Sequence, residues 1–275
     1  MNYTFYRLDC LTNLHMGGSD ANYDVIDLQV ERDPVLCEPT MNSSGVKGAL
    51  RDHCEILKGC HDKANWDSNN DIKEIFGTRD GGTQQGSYAF FGADLLARPV
   101  RASGCDTAWI LATTPDLIAS FVKKLESLDI KMPKINIPTG IEGDAVKVSC
   151  DCAKVEGYNA EKVPVDAGME WLLGTDRYAV MSSDMLRSIA LPVVAHNVLE
   201  NGQSKNLWYE EYVPHKSVFG LIVGRPNEKD KFGEIIGIDK QPVVQFGAEA
   251  STGCGYVKMT QVIPEKQEAK SDEKA

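Results

Sequence analysis

The segment Thr40-Met41-Asn42-Ser43-Ser44-Gly45-Val46-Lys47-Gly48-Ala49-Leu50-Arg51 gathers small residues, hydroxyls and two cations around one helix start. Ser43 or Ser44 is a good N-cap. Val46, Leu50, Cys54 and Leu57 then recur at helical spacing as one buried stripe, which predicts a helix over about 44–58. Lys47 and Arg51 share a face in its first two turns, where the helix dipole disfavours cations unless an anion is also present. Free N–H groups, small residues and two cations together compose an anion site of the kind that holds a phosphate. The same residues also fit a solvated basic face on a capped amphipathic helix.

The elements that must position this site alternate between strands and helices. Tyr3 to Leu11 reads as a first strand, and Tyr88–Ala102 with Thr107–Ala112 as a strand pair. Thr114-Pro115 opens a second helix running to about Leu128 by the cap-then-proline rule. A β-α-β-β-α-β order of this kind belongs to ferredoxin-like or RNA-recognition units. Asn201-Gly202 between Val193–Val198 and Asn206–Val213 is a hairpin signal, which puts Trp208-Tyr209-Glu210-Glu211-Tyr212 on a strand. Its aromatics suit base stacking or sheet packing. Two polar excursions, near 65–85 and 131–167, read as insertions with binding-loop character, and 263–275 as a disordered charged tail.

Leu14-His15-Met16-Gly17-Gly18, then Tyr23-Asp24-Val25-Ile26-Asp27-Leu28-Gln29-Val30-Glu31-Arg32-Asp33, precede the serine–glycine–lysine segment. Downstream come Phe91 to Arg101, Leu207 to Pro214, Gln245-Phe246-Gly247 and Gly253-Cys254-Gly255-Tyr256. This ordered set resembles the RAMP superfamily and, more narrowly, the repeated backbone subunit of type III-B (Cmr) CRISPR effector complexes. It covers residues 1 to about 260. Gln29 stands where a proline is common, Asn42 where a small residue is usual, and Ala248 where a second glycine is usual; these departures bear on loop geometry.

The resemblance implies an α+β, ferredoxin-like RAMP core over 1–262 carrying long insertions, one of them a thumb-like hairpin. It implies copies stacked head to tail along a CRISPR guide RNA beside other subunits, with complementary target RNA cut at regular intervals. Cleavage at a backbone phosphate can use the adjacent 2′-hydroxyl, and it needs in-line geometry, proton removal and charge stabilisation. Asp27 matches the family's cleavage residue, as general base, orienting group or ligand of a divalent cation such as Mg2+ or Mn2+. Read alone, Asp27 is a turn aspartate. His15, Lys47, Glu210 and Tyr212 are placed by the resemblance near the same site. Ser43, Ser44, Lys47, Arg51, Gly247, Gly253 and Gly255 would hold the guide RNA by its phosphates, small residues letting the backbone approach. The alternatives are the equivalent type III-A subunit, a non-cleaving guide-binding scaffold, or a stand-alone metal hydrolase.

Composition bounds these readings. A chain of 275 residues with 42% hydrophobic residues can bury a substantial core. It has no long apolar run and no signal-peptide pattern, so a cytoplasmic protein without membrane contact is expected. A net charge of −11 argues against nucleic-acid binding over the whole surface, though cations need line only one groove. Eight cysteines in such a chain are expected as reduced thiols. His53-Cys54 with Cys60-His61, and Cys150 with Cys152, have poor spacing for zinc.

Overall fold

The computed structural model describes residues 1–17, 26–79, 84–226 and 228–263. Parts of the Leu14–Gly18 and Tyr23–Asp33 motifs, residues 80–83, and the expected tail beyond Ile263 lie outside the described residues.

Strand β1 (Asn2–Cys10) alternates its side chains between two buried clusters, with Tyr6, Leu8 and Cys10 in one and Phe5 in the other. Short β2 (Thr40–Met41) leads into α1 (Ser43–Leu57), which buries Val46, Leu50 and Cys54 as its periodicity predicts, while Leu57, expected on the same stripe, is exposed at the helix end. Helix α2 (Asn70–Phe76) follows. There the supposed 65–85 loop is partly helical, because the Asn69 side chain caps Asp71 and Ile72 and the turn buries Ile72, Ile75 and Phe76.

Next come β3 (Ala89–Phe90), β4 (Ala93–Ser103), β5 (Trp109–Thr113) and α3 (Pro115–Ser127), the last capped by the Thr114 hydroxyl as expected. The 131–167 excursion supplies β6 (Val146–Val148), β7 (Lys154–Val155) and β8 (Tyr158–Lys162), which join the main sheet. After α4 (Ala167–Leu173), β9 (Tyr178–Val180) and α5 (Ser183–Ser188), strands β10 (Val193–Glu200) and β11 (Gln203–Glu211) form a separate two-stranded hairpin. The chain ends in β12 (Val218–Arg225), α6 (Lys231–Ile236), β13 (Val243–Gln245) and β14 (Tyr256–Gln261).

The architecture is mixed α/β. Among the described residues one sheet runs β13-β14-β1-β12-β4-β5-β9-β6-β8-β7, with β2 on β4 and β3 on β12. The contiguous β-α-β-β-α-β unit read over residues 3–128 does not match this order. Although β4 and β5 pair as expected, β12 sits between β1 and β4, antiparallel to both. β12 is buried along almost its whole length, as a strand covered on both faces must be. Gly220 shows why small residues recur in it: a Cβ there would run into the Phe121 ring.

Cys105 and Cys152 are joined as a disulfide, which corrects the all-thiol expectation; the other six cysteines are free. They meet because β4 and β7 pair through Ala102↔Val155 and Ser103↔Lys154, bringing the turn after β4 against the segment before β7. Cys54 is a core thiol, pushed up to about 12 by burial and by Glu55. No described helix is long and apolar enough to cross a membrane.

Candidate functional site

The site is built where the loop after β1, the base of the β10–β11 hairpin and the turn before β14 come together. Leu14 and Val213 exchange backbone hydrogen bonds at 2.9 Å, and Leu28 bridges in parallel to Glu210. These bonds lay the Asp27 loop along the end of β11. The Tyr209 N–H donates to Asp27 Oδ2 at 2.8 Å, the Leu28 N–H to the Tyr209 carbonyl at 3.2 Å, and the Glu211 N–H to the Leu28 carbonyl at 2.9 Å. Asp27 is exposed, and its Oδ1 has no hydrogen-bond partner among the described residues.

His15 is buried beside this strand, with Nδ1 2.7 Å from the Glu211 carbonyl oxygen. A carbonyl only accepts, so Nδ1 carries the proton and Nε2 is the nitrogen left to exchange one. Glu211 is itself a hub, since its carboxylate accepts from Arg32 at 2.5 Å and from the Val30 N–H at 3.2 Å. Both lie within the motifs above, but nothing in the sequence marks either Glu211 or Arg32 as a site residue.

Glu210 is almost fully buried, and each of its carboxylate oxygens has a donor. Trp208 Nε1 donates to Oε1 and the Tyr212 hydroxyl to Oε2, both at 2.7 Å. Burial works to raise the carboxyl pKa, but these two bonds and the nearby His196 and His15 outweigh it, so the net direction is down. Burial first, then the bond to Glu210, raises the Tyr212 phenol and keeps it protonated. His196, also missed in the sequence, stacks on Trp208 with ring centres 5.4 Å apart and lies 3.0 Å from the Tyr212 oxygen.

A tight Asn201-Gly202 hairpin predicts His196 opposite Leu207. A bulge at Lys205 breaks the register between Val198 and Leu199 and sets His196 opposite Trp208 instead.

The helix end is stitched to the same region. Asn42, rather than a serine, is the N-cap of α1 and makes no side-chain cap bond to the helix, leaving Ser43 and Ser44 exposed in its first turn. Asn42 is held from outside by the Glu31 carboxylate, and the Glu31 N–H donates to the Met16 carbonyl at 2.7 Å. Lys47 is partly exposed and makes no ion pair among the described residues.

Arg51 departs from expectation: it is buried, pairs with Glu55 at 2.7 Å and Asp67 at 3.1 Å, and presents no free guanidinium. The positions i and i+4 on α1 make the first pair, and the 62–69 turn supplies the second.

The glycines divide as well. Gly247, at φ +75°, packs where a Cβ would strike the His15 carbonyl oxygen, and the Ala248 N–H donates to that oxygen at 2.9 Å. Gly255, at φ +79°, is pressed against the Phe246 carbonyl, whereas Gly253 has open space around it. Two of the three thus have reasons internal to the fold, and the Gly247-Ala248 turn also holds the His15 backbone.

Among the described residues no group of three His, Cys, Asp or Glu side chains is placed to hold a metal. His61, for example, is exposed beside Asp62, while Cys54 is sealed in the core. Among the described residues Asp27 stands as a single carboxylate with one oxygen unpartnered, which fits a cation shared with a substrate's phosphates.

Comparison with known proteins gives a consistent family. The family model described as the RAMP superfamily matches residues 7–258. The CRISPR system Cmr endoribonuclease Cmr4 of Pyrococcus furiosus is 25% identical over 91% of this chain and 92% of its own. A type III-B Cmr-beta complex bound to cognate target RNA contains a chain with a TM-score of 0.73 and 18% identity, over 95% of this chain and 98% of that one. Oligomeric Cmr4 from Pyrococcus furiosus gives a TM-score of 0.68 at 21% identity, over 96% and 99%. At these identities the two structures speak for the fold.

Proposed function

The chain belongs to the RAMP superfamily, and from that premise we propose that it is the repeated backbone subunit of a type III-B CRISPR ribonucleoprotein. In this reading it binds guide RNA in head-to-tail copies beside other subunits and acts as the endoribonuclease that cuts complementary target RNA at regular intervals. A relative named as a Cmr endoribonuclease over nearly its whole length supports the class. Base pairing with the guide supplies sequence recognition, and the protein reads backbone and shape.

The finer fold reading belongs here too. Strands β14-β1-β12-β4 lie side by side, all antiparallel, with α1 between β1 and β4 in the chain and α6 between β12 and β14. We read these six elements as a ferredoxin-like core within one domain over 1–262, split by the long insertion from β5 to β11. The free-standing β10–β11 hairpin, with Val198, Leu199 and Leu207 exposed, suits the thumb-like insertion.

The observation that carries the cleavage reading is Asp27: an exposed carboxylate with one oxygen anchored by the Tyr209 N–H and the other without a partner among the described residues. Anchoring fixes its direction, so a 2′-hydroxyl brought alongside meets an oriented acceptor for its proton. His15, with Nε2 as the available nitrogen, is the neighbouring group able to pass a proton toward the departing 5′-oxygen. Lys47 and the first turn of α1 would hold the adjacent phosphate. A Mg2+ or Mn2+ ion shared between Asp27 and RNA phosphates would supply charge neutralisation at phosphorus.

The test is cleavage of end-labelled target RNA by guide-loaded complexes carrying Asp27 or Asp27→Asn, in magnesium and in EDTA. Evenly spaced products that vanish in the variant while binding persists support the reading. Uncut RNA with both proteins leaves a guide-binding scaffold.

A further inference from the structure

The hydrogen bonds around Glu210 count protons as well as positions. Trp208 Nε1 can only donate, and it donates to one carboxylate oxygen. Tyr212 has a single hydroxyl proton, and the 2.7 Å contact spends it on the other oxygen. His196 Nε2, at 3.0 Å from the phenol oxygen, must therefore be the donor in that contact and carry a proton. It also lies 3.5 Å from Glu210 Oε2. The indole of Trp208, only 18° from parallel with the imidazole, holds the ring plane that aims this proton.

We propose that His196 is a positioning residue for the cleavage site: its Nε2–H caps the Tyr212 oxygen, directs the phenol proton to Glu210, and so holds the Trp208–Glu210 segment that anchors Asp27. The segment concerned is short. Trp208 and Glu210 are pinned through their side chains, and Tyr209 between them gives its N–H to Asp27. Without the His196 proton the phenol can rotate, Glu210 loses a donor, and the backbone that aims Asp27 loosens. This inference rests on the Asp27 reading above.

Three substitutions separate the donor from the stack. Phenylalanine at 196 keeps an aromatic ring against Trp208 but cannot donate, glutamine places an amide N–H near the position of Nε2, and alanine removes both functions. In guide-loaded complexes, H196F and H196A are expected to slow single-turnover cleavage by about ten- to a hundredfold while target-RNA affinity stays within about twofold; H196Q is expected within about threefold of the unsubstituted complex. H196F cutting at the unsubstituted rate, or H196Q as slow as H196A, would overturn the donor role.

The 15N spectrum of histidine-labelled free protein reads the same claim without catalysis. An Nε2–H resonance for His196 that shifts in Tyr212→Phe is expected, and an Nδ1–H tautomer refutes it. If Asp27→Asn cuts as well as the parent, the Asp27 reading is what has failed, and the tautomer spectrum still decides the His196 geometry.

Discussion

The backbone N–H of Tyr209 donates to Asp27 Oδ2 at 2.8 Å, although 182 positions separate them in sequence. With the backbone bonds of Leu28 beside it, this bond ties the N-terminal loop to the base of a hairpin inserted late in the chain, and it uses only one carboxylate oxygen. Asparagine retains an acceptor for that bond and loses the charge.

Asp27→Asn is accordingly expected to leave assembly and target binding intact while cutting the cleavage rate by at least about a hundredfold. Gel-resolved single-turnover assays beside filter binding check it. A parallel fall in affinity would mean that Asp27 acts in binding.

Lys47 and Arg51, read alike in the sequence, should separate. Lys47→Ala is expected to weaken guide-RNA binding and flatten the plot of log affinity against log salt by about 0.7. Arg51→Ala removes one of the two arginines that pair with the buried Glu55, Arg79 being the other, and is expected to cost about 2 kcal/mol of stability. Salt-titrated binding and urea unfolding distinguish the two.

Gly247 and Gly253 both have positive φ, but only Gly247 is pressed against His15. Backbone strain alone costs about 1–3 kcal/mol at either alanine variant. Gly247→Ala should lose more than Gly253→Ala in thermal unfolding and should also slow cleavage, because the His15 carbonyl must move.

Glu210, whose pKa is lowered in the folded protein, contributes stability that is present above its unfolded value and lost as pH falls through the folded one. Acid titration of stability below about pH 4.5 should therefore be steeper for the parent than for Glu210→Gln. Equal slopes would show that the carboxylate gains nothing on folding.

What the sequence made legible was local. The helix expected over 44–58 is observed at 43–57, the Thr114-Pro115 start holds, and Asn201-Gly202 does turn the hairpin. Each depends on residues within a few positions of one another. Sheet order was hidden because the pairing of β12 between β1 and β4 is decided by contacts across most of the chain. The burial and pairing of Arg51 were hidden for a similar reason: one of its carboxylate partners, Asp67, lies in a turn outside the helix. His196 escaped notice because a one-residue bulge changes its cross-strand partner, and alternation alone does not announce a bulge. The disulfide, too, depended on a pairing of β4 with β7 that no local signal carries.

The place of β1 between β12 and β14 also sets a clock on synthesis. Strand β1 has as partners two strands made much later in synthesis, so it must wait unpaired while some two hundred residues are added, roughly ten to forty seconds at common elongation rates. Its alternating apolar residues are exposed to holdase chaperones for that interval, and a nascent chain stalled before Val218 has neither neighbour for β1. Chains truncated there are then expected to fail at folding rather than at any later step.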